Sequence, residues 1–465
     1  MMREPAFSLL KKPAPVALRG KRVLVLGLGD TGLSVVNWVK RQEGSVRIAD
    51  TRSAPPHGEK LAGEEIHTGK FKTSLLKDID LVCISPGLSL EDEIVQAASA
   101  KNIPVLGDIE LFAWQATGKR IAVTGTNGKS TVTALAGHLL RSARIDCEVA
   151  GNISPPALDA LMKRAGGRKQ TPPPVWVLEL SSYQLETTWS LAPDAAAMLN
   201  LSEDHLDRYA GLAEYAAAKA RIFMGKGAQV LNRCDSASMG LAVAGRSQVT
   251  FGMDAPAMPE DFGLADGALT RGSERIIAVA ELPLTGAHNI SNALAACALA
   301  HLAGAPVAAL AQGLRSFQGL PHRMQRVALR SGVEWLDDSK GTNVGATVAA
   351  LKGLAPALGG PPNKVVLILG GEGKGQHFAP LAPAVRERAR HVLLIGRDAK
   401  LIGKAIETAG VPTEHAASLE AAVARAAQLA RPGDAVLLSP ACASFDMFRD
   451  YKHRGEAFAA AVKAL

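Results

Sequence analysis

Between Ile121 and Gly137 the chain reads IAVTGTNGKSTVTALAG. Gly125 and Gly128 free the backbone so that amide N–H groups can converge on phosphate oxygens. Lys129 has the reach for β- and γ-phosphates, and Ser130 offers a hydroxyl to Mg²⁺. A helix opening near Thr131 would add the positive end of its dipole. The consensus G-x-x-x-x-G-K-[ST] asks for glycine where Val123 stands. That position closes an apolar strand ahead of the converging amides, so its loss removes nothing that phosphate binding uses. The spacing predicts a triphosphate site for ATP, with Thr126 and Asn127 completing the loop. Such a site needs an acid for its metal at the end of a neighbouring strand. PVWVLELSSYQLE supplies one: Glu179 ends an apolar run and precedes Ser181 and Ser182.

A second glycine turn lies upstream. GLGDTG places Gly27, Gly29 and Gly32 after an apolar strand, and Asp50 follows 18 residues beyond Gly32. This is the spacing of a Rossmann unit, in which the diphosphate sits at a helix N-terminus. The same physics serves any diphosphate nucleotide, and a tight turn with no ligand gives the same pattern. An NAD-dependent dehydrogenase would use this loop and leave the first one idle. A non-catalytic nucleotide-binding module would not need Lys129, His205, Lys219 and Lys340 together. A third turn, GGEGKG, carries Lys374.

These loops need elements to hold them. Val23–Leu26 and Val365–Leu369 are continuous apolar runs, as in strands covered on both faces. Helical patterns such as LEAAVARAAQLA alternate with them, which is α/β grammar. With 465 residues the chain is long enough for three consecutive α/β domains. Junctions are expected near residues 108 and 320, giving domains 1–108, 109–320 and 321–465. Proline-rich stretches at 171–174 and 359–362 read as surface loops.

Hydrophobic residues at 47% and charged residues at 21% exclude a disordered chain. The net charge of +8 is spread without a dense basic run that would suit nucleic acid, so it reads equally as a solvated surface or as a cleft for several anionic substrates. Five scattered cysteines with no C-x-x-C pair predict reduced thiols in a cytoplasm. No apolar run is long enough to span a membrane, and no secretion signal is visible.

TGTNGKST, ELSSYQLE, LNLSEDHLDRY, GAHNISNALAA, LPHRMQRV and DDSKGTN, in that order, resemble the Mur ligases over roughly residues 20 to 465. GDIELF and SPACASFDMFRDYKHRG point to the branch that adds D-glutamate. The D-N-P-R motif of the diaminopimelate-adding branch is absent, and folate-adding relatives lack the DDSKGTN and SPACASFD forms. The resemblance implies Rossmann-like outer domains around a central P-loop ATPase-like domain. It implies ATP-driven ligation of D-glutamate to UDP-N-acetylmuramoyl-L-alanine by a cytoplasmic, monomeric enzyme of peptidoglycan precursor synthesis.

It also implies residue roles. Lys129 would stabilise the transferring phosphoryl group. Ser130 and Glu179 would hold one Mg²⁺. His205 would serve a second, with Lys219 carbamylated as a further ligand, which requires a desolvated amine. Asn289 would lie near adenine, Asp337 on the ATP ribose, and Arg323 on the phosphates across a hinge. Lys340 and Thr342 would meet the transferring or incoming groups. Gly29, Asp30, Thr31, Gly32 and Ser85 would line the sugar diphosphate, Asp50 and Arg52 the uracil, and Asn152 with Ser181 the muramoyl-alanine end. Thr342, Lys374, Ser444, Phe445 and Tyr451 would receive D-glutamate. Two positions depart from the family pattern: Asp30 stands where an apolar residue is usual, and Tyr451 where Phe is common.

Overall fold

The computed structural model of the chain describes residues 5–61, 63–166, 175–205, 208–283, 286–354 and 364–465. Both proline-rich stretches lie outside the described residues. The chain divides into two compact units. One comprises Met1–Leu201, Ala213–Ile277 and Leu294–Leu314; the other comprises Ser202–Leu212, Ala278–Ala293 and Arg315–Leu465.

The first unit contains two sheets. Strands β1 (Arg22–Leu26), β2 (Ser45–Asp50), β3 (Ile66–Thr68), β4 (Leu81–Ile84) and β5 (Val105–Leu106) form a sheet in the order β3-β2-β1-β4-β5. Its pairings are all parallel. This is the doubly wound order whose switch point, between β1 and β4, opens a crevice at the strands' carboxyl ends. GLGDTG leads from β1 into the helix Asp30–Arg41 at that crevice. A Cβ at Gly32 would lie 1.9 Å from the Gly27 carbonyl oxygen, so only glycine fits there.

The second sheet has nine strands: β6 (Lys119–Thr124), β7 (Cys147–Gly151), β8 (Val175–Glu179), β9 (Ala195–Met198), β10 (Ala228–Asn232), β11 (Gln248–Phe251), β12 (Phe262–Ala265), β13 (Ala268–Arg271) and β14 (Glu274–Ala278). Their order is β14-β13-β12-β11-β10-β9-β6-β8-β7. All five residues of β8 are buried, as its apolar run requires. GDIELF joins the two sheets. The Gln184 amide donates to the buried Asp108 carboxylate at 3.2 Å, and Glu110 accepts from the Trp189 and Ser190 amides at 2.6 and 2.8 Å.

The second unit is built on β15 (Gln325–Arg330), β16 (Val333–Asp337), β17 (Val365–Gly370), β18 (Ala389–Ile395), β19 (Thr413–His415) and β20 (Ala435–Leu438), in the order β15-β16-β20-β17-β18-β19. Leu367 and Leu369 enter one apolar cluster while Val366 and Ile368 enter the other. The strand is therefore apolar throughout because helices cover both faces. All pairings except β15 with β16 are parallel, so the loops after β16, β20 and β17 emerge at one edge.

Asp50, at the end of β2, fixes the first glycine turn. Its carboxylate accepts from the Leu28 amide at 2.7 Å and from Arg52 Nε and a terminal nitrogen at 2.8 and 2.7 Å. Burial raises the carboxyl's pKa, but the Arg52 side-chain hydrogen bond and charge, with the backbone amides of Leu28 and Arg52, hold it down at about 2. Because this folded value lies below the ordinary 3.8, the stabilisation is complete above the ordinary value and disappears as pH falls through about 2. Unfolding free energies of the protein and Asp50→Asn are predicted to differ by on the order of 2 kcal/mol near pH 5. The gap should close on acidification, and a gap that does not change with pH would contradict this account.

Candidate active site

In the first unit the loop after β6 has the backbone its glycines allow. Gly125 has φ 149° and Gly128 has φ 85°, a left-handed residue that caps the helix Lys129–Ser142. Val123 is a buried strand residue, as its place in the loop requires. In the register of β6 on β8, Val123 pairs with Glu179, which sets the acid beside the loop. Glu179 is 1% exposed and accepts from Asn152 Nδ2 at 2.8 Å. Asn152 thus orients the acid. Ser181 caps the short helix Ser182–Glu186 in a reciprocal box with Gln184.

Lys129 Nζ donates to the carbonyls of Gly125 and Thr126 at 2.9 and 2.8 Å, so its ammonium is folded over its own loop. Lys219, on the helix Leu212–Ala220, is 1% exposed. Its Nζ donates to the Gly125 carbonyl at 2.9 Å and lies 4.7 Å from the Tyr215 ring centre. The side chain is thus enclosed, whereas lysine is ordinarily a surface group. Ser130 is also 1% exposed.

One contributor escaped the sequence reading. Asn200 follows β9. Its carbonyl accepts from the Thr126 amide at 2.9 Å, its Oδ1 accepts from the Asn127 amide at 2.8 Å, and its Nδ2 returns a bond to the Asn127 carbonyl at 3.1 Å. The only prior signal was its membership of LNLSEDHLDRY.

At the first sheet, Gly29, Asp30, Thr31, Gly32, Asp50, Arg52 and Ser85 gather at the carboxyl ends of β1, β2 and β4. Ser85 Oγ donates to the Gly27 carbonyl at 2.8 Å. The Asp30 side chain is 87% exposed and pairs with His57 Nε2 at 2.8 Å, which accounts for an acid at a turn that usually carries an apolar residue.

The second unit holds the rest. His205 has φ 57°, a backbone state rare for a non-glycine residue, and its amide donates to Asp204 Oδ1 at 3.0 Å. Asn343 Nδ2 donates to Asp204 Oδ2 at 3.1 Å. Asn289 lies in the first turn of the helix Ala287–Leu302. Asp337, 1% exposed, is held by His322 Nδ1 at 2.7 Å and by the Ser339 amide at 2.9 Å. Burial pushes the neighbouring Asp338 carboxyl up to about 7, against the Ser439 hydroxyl bond and the attraction of Arg323. Arg323 also helps keep the His288 imidazole neutral, after burial itself. Lys340 Nζ stands 4.9 Å from the Tyr451 ring centre, so the ring kept in place of Phe carries a cation. Lys374 has φ 51°, Ser444 is buried and the Phe445 ring is 67% exposed. Thr342 follows Lys340 on the loop after β16.

The metal candidates are thus distributed: Ser130, Glu179 and Lys219 belong to the first unit and His205 to the second. Among the described residues no three His, Cys, Asp or Glu side chains form a metal cage. Mg²⁺ is normally held by one or two carboxylates together with substrate phosphates and water, and a hydroxyl with one carboxylate at a phosphate loop fits that pattern. No helix among the described residues is long and apolar enough to cross a membrane.

Sequence profiles of three domains match along the chain: the MurD-like N-terminal domain of Mur ligases over residues 21–107, the Mur ligase middle domain over 123–300 and the Mur ligase glutamate ligase domain over 322–442. The chain belongs to the Mur ligase family. A UDP-N-acetylmuramoylalanine–D-glutamate ligase of Nitrosospira multiformis is 53% identical, with 96% of each chain covered. Its counterpart in Thiobacillus denitrificans is 51% identical, with 96% of this chain and 97% of that one covered. Among solved structures, the UDP-N-acetylmuramate–alanine ligase MurC of Thermotoga maritima superposes with a TM-score of 0.62 at 19% identity, covering 95% and 99% of the two chains. That likeness concerns the fold, and it agrees with three successive α/β domains.

In this Mur ligase the loop amides of Thr126 and Asn127 are already committed to Asn200, so Asn200 braces the loop rather than binding phosphate. Asn200→Ala removes two side-chain bonds and is predicted to weaken ATP binding about tenfold, roughly 1.4 kcal/mol. Nucleotide titration checks this, and unaltered affinity would show that the brace is idle.

Proposed function

We propose that the chain joins D-glutamate to UDP-N-acetylmuramoyl-L-alanine with consumption of ATP, as a step of peptidoglycan precursor synthesis. The observation that carries this reading is the glycine loop, with Glu179 set beside it by strand register and Lys219 buried beneath it. The functional domains are taken as 1–108 for the UDP-sugar, 109–320 for ATP and 321–465 for D-glutamate. The enzyme acts as a cytoplasmic monomer and needs neither nucleic acid nor membrane.

A carboxylate is a poor electrophile towards an amine. Its oxygen first takes the γ-phosphoryl group, giving an acyl phosphate and ADP. The amine of D-glutamate then adds to the acyl carbon and loses a proton. The tetrahedral intermediate collapses with phosphate as leaving group. Phosphoryl transfer depends on positioning and on charge stabilisation rather than covalent help from the protein. Lys129 supplies a positive charge at the triphosphate, and the amides that open the helix Lys129–Ser142 add theirs. Arg323 adds a guanidinium fork that can chelate phosphate oxygens. Gly125, Thr126, Asn127, Gly128, Ser130 and Thr131 shape the cradle, and Asn289 and Asp337 receive the adenosine.

Ser130 and Glu179 would hold one Mg²⁺ and His205 would serve a second; when bound, such ions would screen the repulsion between phosphates and the acceptor carboxylate. Lys219 is read as a carbamate, formed when its neutral amine adds to CO₂ and releases a proton. The enclosure of this side chain beside the Gly125 carbonyl supports that reading. Gly29, Asp30, Thr31, Gly32, Asp50, Arg52 and Ser85 bind the uridine diphosphate. Asn152 and Ser181 face the muramoyl-alanine. Thr342, Lys340, Lys374, Ser444, Phe445 and Tyr451 bind the dicarboxylate, whose charge suits the two lysines.

Phosphate release with ATP and UDP-N-acetylmuramoyl-L-alanine is predicted with D-glutamate and not with L-lysine or diaminopimelate. Turnover with either of those alone would overturn the assignment. Lys219→Ala is predicted to lose activity by about a hundredfold or more and to regain part of it with acetate, a small carboxylate that can replace the carbamate. Absence of rescue at any acetate concentration would count against the carbamate.

A further inference from the structure

Arg454, on the helix Tyr451–Ala464, is 1% exposed, one of the largest side chains to be so fully enclosed. A guanidinium in such a place is costly unless its donors are satisfied. Here they are, by groups from two different loops. Nε donates to Ser339 Oγ at 2.9 Å, and one terminal nitrogen donates to the Ser339 carbonyl at 2.8 Å. That same nitrogen reaches the Cys442 carbonyl at 3.1 Å, while the other reaches the Ala443 carbonyl at 3.3 Å. None of these acceptors is a carboxylate. Burial lowers the guanidinium's pKa to about 10, so it remains a cation at neutral pH.

The two loops leave the same edge of the sheet, after β16 and β20, which are neighbouring parallel strands. Ser339 immediately precedes Lys340 and lies three residues before Thr342. Ala443 immediately precedes Ser444. Ser339 Oγ also donates to the Tyr451 carbonyl at 2.8 Å, which ties the start of the arginine's own helix to the same point. One side chain therefore fixes the separation of three stretches that carry Lys340, Thr342, Ser444 and Tyr451. Asp337 is not anchored by it: His322 and the Ser339 amide hold that carboxylate.

We propose that Arg454 is a positioning residue for the amino-acid subsite. Its planar fork welds the loop 338–343 to the loop 439–445, so that the groups meeting the incoming amino acid keep one spacing. It touches neither substrate nor nucleotide. The inference rests on the D-glutamate reading given above. Lysine is a poor substitute, because a single ammonium cannot span four acceptors in a plane.

The test uses the full-length enzyme with Arg454→Met, Arg454→Lys and Ser339→Ala. In Arg454→Met the KM for D-glutamate should rise about tenfold or more, as a small misplacement of binding groups does. The KM values for ATP and UDP-N-acetylmuramoyl-L-alanine should stay within about twofold. Formation of the acyl phosphate without D-glutamate, followed by positional isotope exchange in ATP, should survive. Arg454→Lys should fall between, and Ser339→Ala should repeat the selective rise in weaker form. Equal loss for all three substrates, or no change for any, in a variant that unfolds like the parent overturns the inference. Where Arg454→Met does not fold, the same two criteria applied to Ser339→Ala and Arg454→Lys decide. If the parent enzyme itself fails to use D-glutamate, the functional reading falls and this inference with it.

Discussion

Repulsion between oxyanions is the constraint on which the rest of this structure depends. A triphosphate, a sugar diphosphate and two carboxylates cannot approach one another unless positive charge and amide dipoles are already in place. The loop after β6 meets that demand through backbone geometry. Its two glycines adopt positive φ values, and the second of them caps the helix Lys129–Ser142. Holding such a loop open when its strand ends point elsewhere takes external support. Asn200 supplies it from one side and Lys219 from below.

The same demand explains the distribution of buried charge. Glu179, Asp337 and Asp338 are all nearly inaccessible, as is Arg454. Each is held by polar groups that fix its orientation: Asn152 for Glu179, His322 for Asp337, Ser439 for Asp338. Burial fixes these side chains in one rotamer and excludes competing water, at the expense of desolvation that only a complete set of partners can offset. Polar networks of this kind set geometry more than they add stability.

Positive φ outside glycine occurs both in ordinary turns, as at Glu43, Asp78, Asn102 and Ser331, and within the motifs. His205, His322, Lys374 and Ala441 all adopt positive φ without being glycine. These four fall within the motifs or beside residues proposed to meet substrates. The surrounding loops hold them there through many hydrogen bonds, as the bond from the Lys340 amide to the His322 carbonyl illustrates.

The phosphate loop was legible in the sequence because its chemistry is local. Glycine, lysine and serine stand at fixed spacing between one strand and one helix, and that suffices to announce it. The α/β class was legible for a related reason: a strand covered on both faces must be apolar throughout, as Val365–Leu369 is. Glu179 could be guessed from its place at a strand end. Tertiary structure alone decided which acid faces which loop, since the pairing of Val123 with Glu179 depends on parallel register across many intervening residues. It alone turned Lys219 from a helix lysine into a buried amine, put His57 on Asp30, and drew Ser339, Cys442 and Ala443 onto Arg454. Local pattern cannot specify such partners, because hydrogen bonds between distant segments depend on how the sheets twist and the helices pack, and no spacing along the chain encodes that distance.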